Sequence, residues 1–360
     1  MKKLLILILS TFLLTGCYDY QELNNRAIIS GVALDLEDNK FQVTLEILTI
    51  KKSESDSGSS DKTYYVEGSG NTLSEAFKDC NLKINKEPYY AHLKVLIISQ
   101  EIAKEKMSEV IDYMLREPNI RNIFIPVLSE NTKAKVLLQS TTDESPIVSE
   151  AIENMLETNK AIESIAFDYD FETFVSSFVD KKKDAYLNSI RKEENNFKLS
   201  GIGAFENHKL KTILNEQQSS ILNIISNASN KHLISVPCNN KNYTNINMHY
   251  NLGTFTEVTD KITIKSYISG TIVEDTCQLD FRNPDTYKDL QTKANKVIQK
   301  EYENLLNTLK KNKTDLLGIQ ENYYKKERKD LTNWYQLDVE FDIQVTLNKN
   351  GLIFKVDDYE

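Results

Sequence analysis

Seven apolar residues, Tyr287, Leu290, Ala294, Ile298, Tyr302, Leu305 and Leu309, set the strongest limit on how this chain folds. They recur in steps of three and four, which puts them on one side of an α-helix beginning at Pro284-Asp285. Lys288, Lys296, Lys300 and Lys310 take the opposite side. A helix of about 23 residues runs roughly 35 Å, and it cannot bury such a stripe alone. Neighbouring strands must lie against it. Alternating segments between Leu233 and Val273, including Ile262, Ile264 and Ile268, and a last run from Leu337 to Leu347 supply them. The C-terminal half therefore reads as an antiparallel sheet around a long amphipathic helix, with a second helical run after a break at Gly318.

The N-terminal half alternates strands and helices. Residues 27–50 read as a hairpin, its turn in Leu36 to Lys40 and its second strand carrying Phe41, Val43, Leu45 and Ile47 on one face. Ser53 to Asp61 is a solvated loop, and Thr63 to Val66 resumes strand character. Thr72-Leu73-Ser74-Glu75 matches a capping box ahead of Phe77, Cys80 and Ile84. Leu93 to Ser99 suits a central strand buried on both faces, followed by a helix over about 102–116. Pro126 pushes the strand 123–128 toward a sheet edge or a bulge. From Lys133 to about Ile190 the pattern is helical, with Ile152, Met155 and Leu156 on one apolar face and Phe171, Phe174, Val175 and Phe178 on another. The charged run Arg191 to Asn196 reads as a domain boundary, and Phe197 to Phe205 with the turn 206–209 opens a second hairpin. The fold class expected is α+β, multidomain, with mixed sheets and packed helices. The domains are 27–192, α/β with a helical C-terminal part, and 197–360, α+β, a subdivision near 235 being left open.

Residues 1–16 are a targeting segment. Lys2-Lys3, an apolar run from Leu4 to Leu14 and small residues before Cys17 form a charged region, a hydrophobic region and a cleavage zone. The run is too short to span a bilayer. Leu14-Thr15-Gly16-Cys17 resembles a lipobox, which implies an exported chain whose Cys17 carries an S-diacylglycerol thioether, with N-acylation by a palmitate-type chain compatible. Two acyl chains hold stably where one does not. Residues 17–26 would be the tether. The formal charge is −9, and it reaches −11 when Lys2 and Lys3 leave with the signal. Such a body is a poor partner for nucleic acid. Of the remaining cysteines, free buried thiols are the favoured state for Cys80, Cys238 and Cys277. Cys238–Cys277 is the pair to oxidise if one does.

Motifs for chemistry are missing. There is no nucleophile elbow, zinc-protease helix, Cys-x-x-Cys or phosphate-binding glycine loop. Gly201-x-Gly203 stops short of a dinucleotide fingerprint, and Asp35-x-Glu37-Asp38-Asn39 lacks the glycine and the last acid of a calcium loop. His92, His208, His232 and His249 lie far apart. No catalytic residue, metal site or cofactor is nominated. Tyr89-Tyr90-Ala91-His92 and Tyr323-Tyr324 are either protein-contact patches or packing.

Cys17, Tyr18-Asp19, Glu22-Leu23-Asn24 and the strand from Gly31 to Asp35, a Gly-x-x-x-Asp pattern, together resemble the Ger(x)C family. Arg116-Glu117-Pro118-Asn119-Ile120-Arg121, the hairpin Leu199 to Phe205 with Lys209-Leu210, and Thr314 to Gly318 with Tyr324 and Trp334 are similar to further family segments. Tyr18 replaces the usual tryptophan, and Asn188 stands where the family often has proline, so that loop is expected to differ. The resemblance implies a non-catalytic C subunit of a spore germinant receptor. It would be lipid-anchored to the outer face of the spore inner membrane, beside a multispan A subunit and a transporter-like B subunit. A solute-binding lipoprotein of a transporter is the alternative class and would need two similar lobes about a hinge. An exported enzyme is the third.

Overall fold

The computed structural model describes residues 25–49, 62–140, 145–162, 165–167, 169–194, 196–250 and 252–348. The expected signal segment, Cys17 and the expected 53–61 loop lie outside the described residues. The first described element is the expected hairpin. β1 (Arg26–Glu37) and β2 (Lys40–Thr49) pair antiparallel, with Asp38 and Asn39 in the left-handed region at φ 50° and 61°. Such a turn matches the twist of the strands it joins. β3 (Lys62–Gly70) continues the meander beside β2. α1 (Leu73–Asn81) is capped by Thr72, whose hydroxyl accepts the Glu75 N–H at 3.2 Å. Glu75 reaches back past the cap to accept the Asn71 N–H at 2.8 Å, so the expected capping box is closed one residue further out.

After β4 (Glu87–Tyr89), β5 (Val95–Ser99) is buried along its whole length, as its apolar run implies. The single helix expected over 102–116 is two, α2 (Gln100–Glu105) and α3 (Met107–Arg116), divided where Lys106 leaves the helical region at φ −130°. β6 (Ile125–Glu130) corrects the reading of Pro126, because the strand lies inside the sheet between β5 and its next neighbour. The Ile125 N–H points to the β5 side, bonding Lys94 O at 2.8 Å. The position of Pro126 therefore faces the other side, where pairing begins only at Val127 opposite Asn188. No ladder bond is lost to the ring.

The stretch expected to be helical up to Ile190 holds α4 (Ala134–Leu138), α5 (Val148–Ile162) and α6 (Phe171–Val179), and then becomes strand β7 (Tyr186–Glu193). The Arg191–Asn196 run, expected to separate domains, spans the reversal of a hairpin. β8 (Asn196–Glu206) pairs with β7 across it, Glu193 opposite Asn196, and β9 (Lys209–Leu214) follows. The first sheet thus runs in the order β3-β2-β1-β5-β6-β7-β8-β9, with β4 beside the start of β1. Its centre, β1, β5, β6 and β7, is parallel, and antiparallel strands flank it. Both faces are covered. α4 and α5 pack over Ala33, Val95, Ile97 and Val127, while α1, α2, α3 and α6 pack over Leu34, Leu96, Ile98 and Leu128.

α7 (Glu216–Ile225) leads to the second sheet, built of β10 (Lys231–Pro237), β11 (Tyr243–His249), β12 (Thr254–Val258) and β13 (Lys261–Asp275). The expected long helix is α8 (Pro284–Asn312), 29 residues, with Leu290, Ala294, Ile298, Tyr302, Leu305 and Leu309 all buried against strands. α9 (Ile319–Glu327) and β14 (Asp338–Leu347) follow. The sheet is antiparallel except at β14, which pairs parallel with β13. One continuous apolar cluster joins α6, α7, the α8 stripe and the inner face of the second sheet. The free-thiol expectation is overturned at Cys238 and Cys277, which form a disulfide with Cα atoms 6.1 Å apart. Pairing of β11 with β13 brings the strand ends within bridging reach. Cys80 is free and buried.

Candidate functional site

The one site residue nominated by sequence, Cys17, lies outside the described residues, so the candidate site is assembled from the groups the fold brings together. The tyrosine pairs are packed more than presented. Tyr90 is buried, Tyr89 lies under the Arg26 guanidinium at 4.5 Å, and Lys182 sits 3.6 Å from the Tyr324 ring centre. The histidines stay apart: His92 meets Tyr89 edge-on, and His208 stacks on Phe178. Among the described residues no group of three or more His, Cys, Asp or Glu side chains is placed to hold a metal.

His232 has the partners most like chemistry. Its Nδ1 lies 3.1 Å from Ser220 Oγ and its Nε2 2.8 Å from Glu301 Oε2, while Gln217 donates to Glu301 Oε1 at 2.7 Å. The order hydroxyl, imidazole, carboxylate is that of a hydrolytic triad. Ser220, however, lies within α7, is 5% exposed, and belongs to a chain of polar groups that joins α7, β10 and α8. The arrangement ties elements together.

Two carboxylates perform the same service in the first sheet. Glu46 on β2 is fully buried, and its oxygens accept the Val148 N–H at 2.8 Å, the Ser149 N–H at 3.1 Å and the Ser30 hydroxyl at 3.0 Å. Asp35 on β1 accepts the Ala134 and Lys135 N–H groups at 2.8 and 2.9 Å. These are the otherwise unpaired donors at the starts of α5 and α4. Burial pushes both carboxyls above their ordinary range, and the hydrogen bonds pull the other way. Gly31 is what lets the elements close in. A Cβ there would lie 2.7 Å from Leu138 Cδ1, 3.1 Å from Glu46 Oε2 and 3.1 Å from Ser149 Cβ. The Gly31-x-x-x-Asp35 pattern is thus a device for seating two helices on the sheet. Glu46, its third member, has no signal in the sequence beyond its strand, because the alternation of Phe41, Val43, Leu45 and Ile47 puts it on the side that reads as solvent-facing.

A second pair of carboxylates joins the halves of the chain. Asp184, just before β7, donates its N–H to Asp315 O at 3.1 Å, and Asp315 returns its N–H to Asp184 Oδ2 at 2.6 Å. The Asp315 carboxylate then caps α9 through the Ile319 and Gln320 N–H groups, both at 2.8 Å. Burial raises each carboxyl to about 6. Lys182 adds an ion pair to Asp330 at 2.5 Å. Asn188, expected in a variable loop, is instead a buried residue of β7. Its amide donates to Phe167 O and accepts Phe167 N–H, both at 3.0 Å, a pairing that proline has no groups to make.

Comparison with known proteins covers both halves. The pattern described as the spore germination protein N-terminal domain matches residues 19–192, and that described as spore germination B3/GerAC like, C-terminal, matches residues 200–351. YfkR of Bacillus subtilis (strain 168), provisionally named a spore germination protein, is 24% identical over 98% of this chain and 97% of its own length. Spore germination protein GerQC of Bacillus cereus is 23% identical over 88% of each chain. The crystal structure of the GerBC protein superposes with a TM-score of 0.53 at 13% identity, covering 91% of this chain and 99% of that one. At that identity the likeness is one of fold.

Proposed function

We infer that this chain, which belongs to the Ger(x)C family of spore germination proteins, works as a lipid-anchored, non-catalytic C subunit of a germinant receptor. The observation that carries the reading is the pair of family matches. They span nearly the whole chain and begin two residues after the lipobox-like cysteine. Cys17 holds the diacylglycerol, the mature body lies on the outer face of the spore inner membrane, and it docks on the A and B subunits. Its contribution is a binding free energy that differs between two receptor states, since only differential contact shifts an equilibrium. Among the described residues no helix is long and apolar enough to cross a membrane, which fits attachment through lipid. The two sheets differ in size and strand order, unlike the paired lobes a hinged solute binder requires.

Cys17→Ala tests the anchor. The expected outcome is a folded protein that leaves the membrane fraction of spores, which then respond poorly to nutrient. A variant that still sediments with membranes and germinates normally would overturn the assignment.

A further inference from the structure

The short strand β4, which lies beside the start of β1, and the C-terminal ends of α1 and α3 meet at one edge of the first sheet. Between them is a cleft of about 260 Å³, lined by Tyr90, Tyr113, Glu87, Glu117, Asn81 and Asn119. The aromatic lining is preset. Phe77 stacks on Tyr113 with ring centres 4.9 Å apart and meets Tyr90 edge-on at 5.9 Å. Glu117 is oriented by Asn119, whose side-chain amide donates to Glu117 Oε1 at 2.9 Å. The Tyr90 hydroxyl reaches Asn81 Oδ1 only at 3.4 Å, a long bond that leaves the carboxamide oxygen open to a better donor.

The charge at this edge is unbalanced within the cleft. Three cations around this edge are engaged elsewhere: Arg26 over Tyr89, Lys83 with Asp79 at 2.8 Å, and Arg116 with Asp112 at 2.8 Å. Among the described residues neither Glu87 nor Glu117 forms an ion pair. Burial and the neighbouring Glu117 charge also push the Tyr113 phenol up, so it stays neutral. Two carboxylates beside two fixed aromatic rings attract a cation doubly, by charge-assisted hydrogen bonds and by the ring quadrupole. Liquid water takes about 30 Å³ per molecule, so the space suits a ligand of roughly ten heavy atoms or fewer.

We propose that this cleft binds the ammonium group of a small organic amine, with Glu87 and Glu117 as its counter-ions and the Tyr90 and Tyr113 rings as its apolar seat. The proposal is independent of the lipid anchor and of the receptor partners. Titration of the full-length protein at neutral pH with butylamine, and with 1-butanol as the neutral counterpart of the same shape, tests it by calorimetry. The expected result is saturable binding of butylamine, weakened at least tenfold in Glu87→Gln/Glu117→Gln, and none of butanol. Equal responses to the two compounds overturn the proposal, as does unchanged butylamine affinity in a double variant that melts at the wild-type temperature. Should the double variant fold poorly, Glu87→Gln at an exposed position of β4 decides alone: weakened binding supports the site, and undiminished binding overturns it.

Discussion

At the scale of single residues, the first sheet is organised by groups that a simple strand reading assigns to solvent. Phe41, Val43, Leu45 and Ile47 alternate as a half-buried strand should, which leaves Glu46 on the side expected to be wet. That side is instead covered by α5, and Glu46 is fully buried under it. Alternation marks a wet face only where one side of a sheet is open, and here helices cover both. Gly31 was legible as part of a family-like pattern, but the reason for it was not, because its crowding comes from α4 and α5, more than a hundred residues along the chain. Gly31→Ala is expected to destabilise the protein by about 1–3 kcal/mol, the usual cost of overpacking. A lower urea midpoint with an unchanged slope would show it, and a midpoint equal to wild type would count against this account of the motif.

At the scale of elements, legibility followed sequence locality. The long helix, both hairpins and the buried strand β5 were readable, since each carries its period or turn within a short window. Two elements depart from the expected pattern: β7 lies in a stretch whose pattern reads as helix, and the 102–116 helix breaks at Lys106. Tyr186 to Ile190 is buried on both faces and so has no period of two to read. Cys238 and Cys277 are legible as the pair to oxidise, but not that they do, because the bridge depends on β11 and β13 pairing, which cysteine spacing does not reveal. It closes a separation of 39 residues that holds β11, β12 and the whole of β13. A loop of that length is worth about 3–4 kcal/mol in the chain-entropy account. Cys238→Ser/Cys277→Ser should lose roughly that much, with amide exchange accelerating first in β10 and β11. Acceleration confined to the first sheet would contradict this. Cys80, whose thiol burial pushes up to about 12, should stay unreactive in the same protein.

For the whole molecule, the Asp184–Asp315 contact makes stability depend on pH. Each carboxyl titrates near 6 in the folded chain, well above the ordinary aspartate value of 3.8. The folded state therefore keeps protons that the unfolded state releases. Their contribution is fullest below about pH 4 and is lost as pH rises through 6. Glu206 raises Asp184 further, and Lys183 moderates Asp315. In Asp184→Asn/Asp315→Asn the fall in unfolding free energy between pH 4 and 7 should be shallower than in wild type, as read by urea titration at each pH. Parallel profiles would show that the pair does not titrate in this range.

The place of β1 carries one more consequence. It begins nine residues beyond Cys17 and is paired along both flanks, with β2 on one side and β4 and β5 on the other. Traction from an anchored Cys17 would run along the strand, at right angles to its antiparallel hydrogen bonds. Both ladders would then share the strain at once, as shear, and none would be unzipped bond by bond. The chain would be held to its anchor by the part of the sheet hardest to peel away.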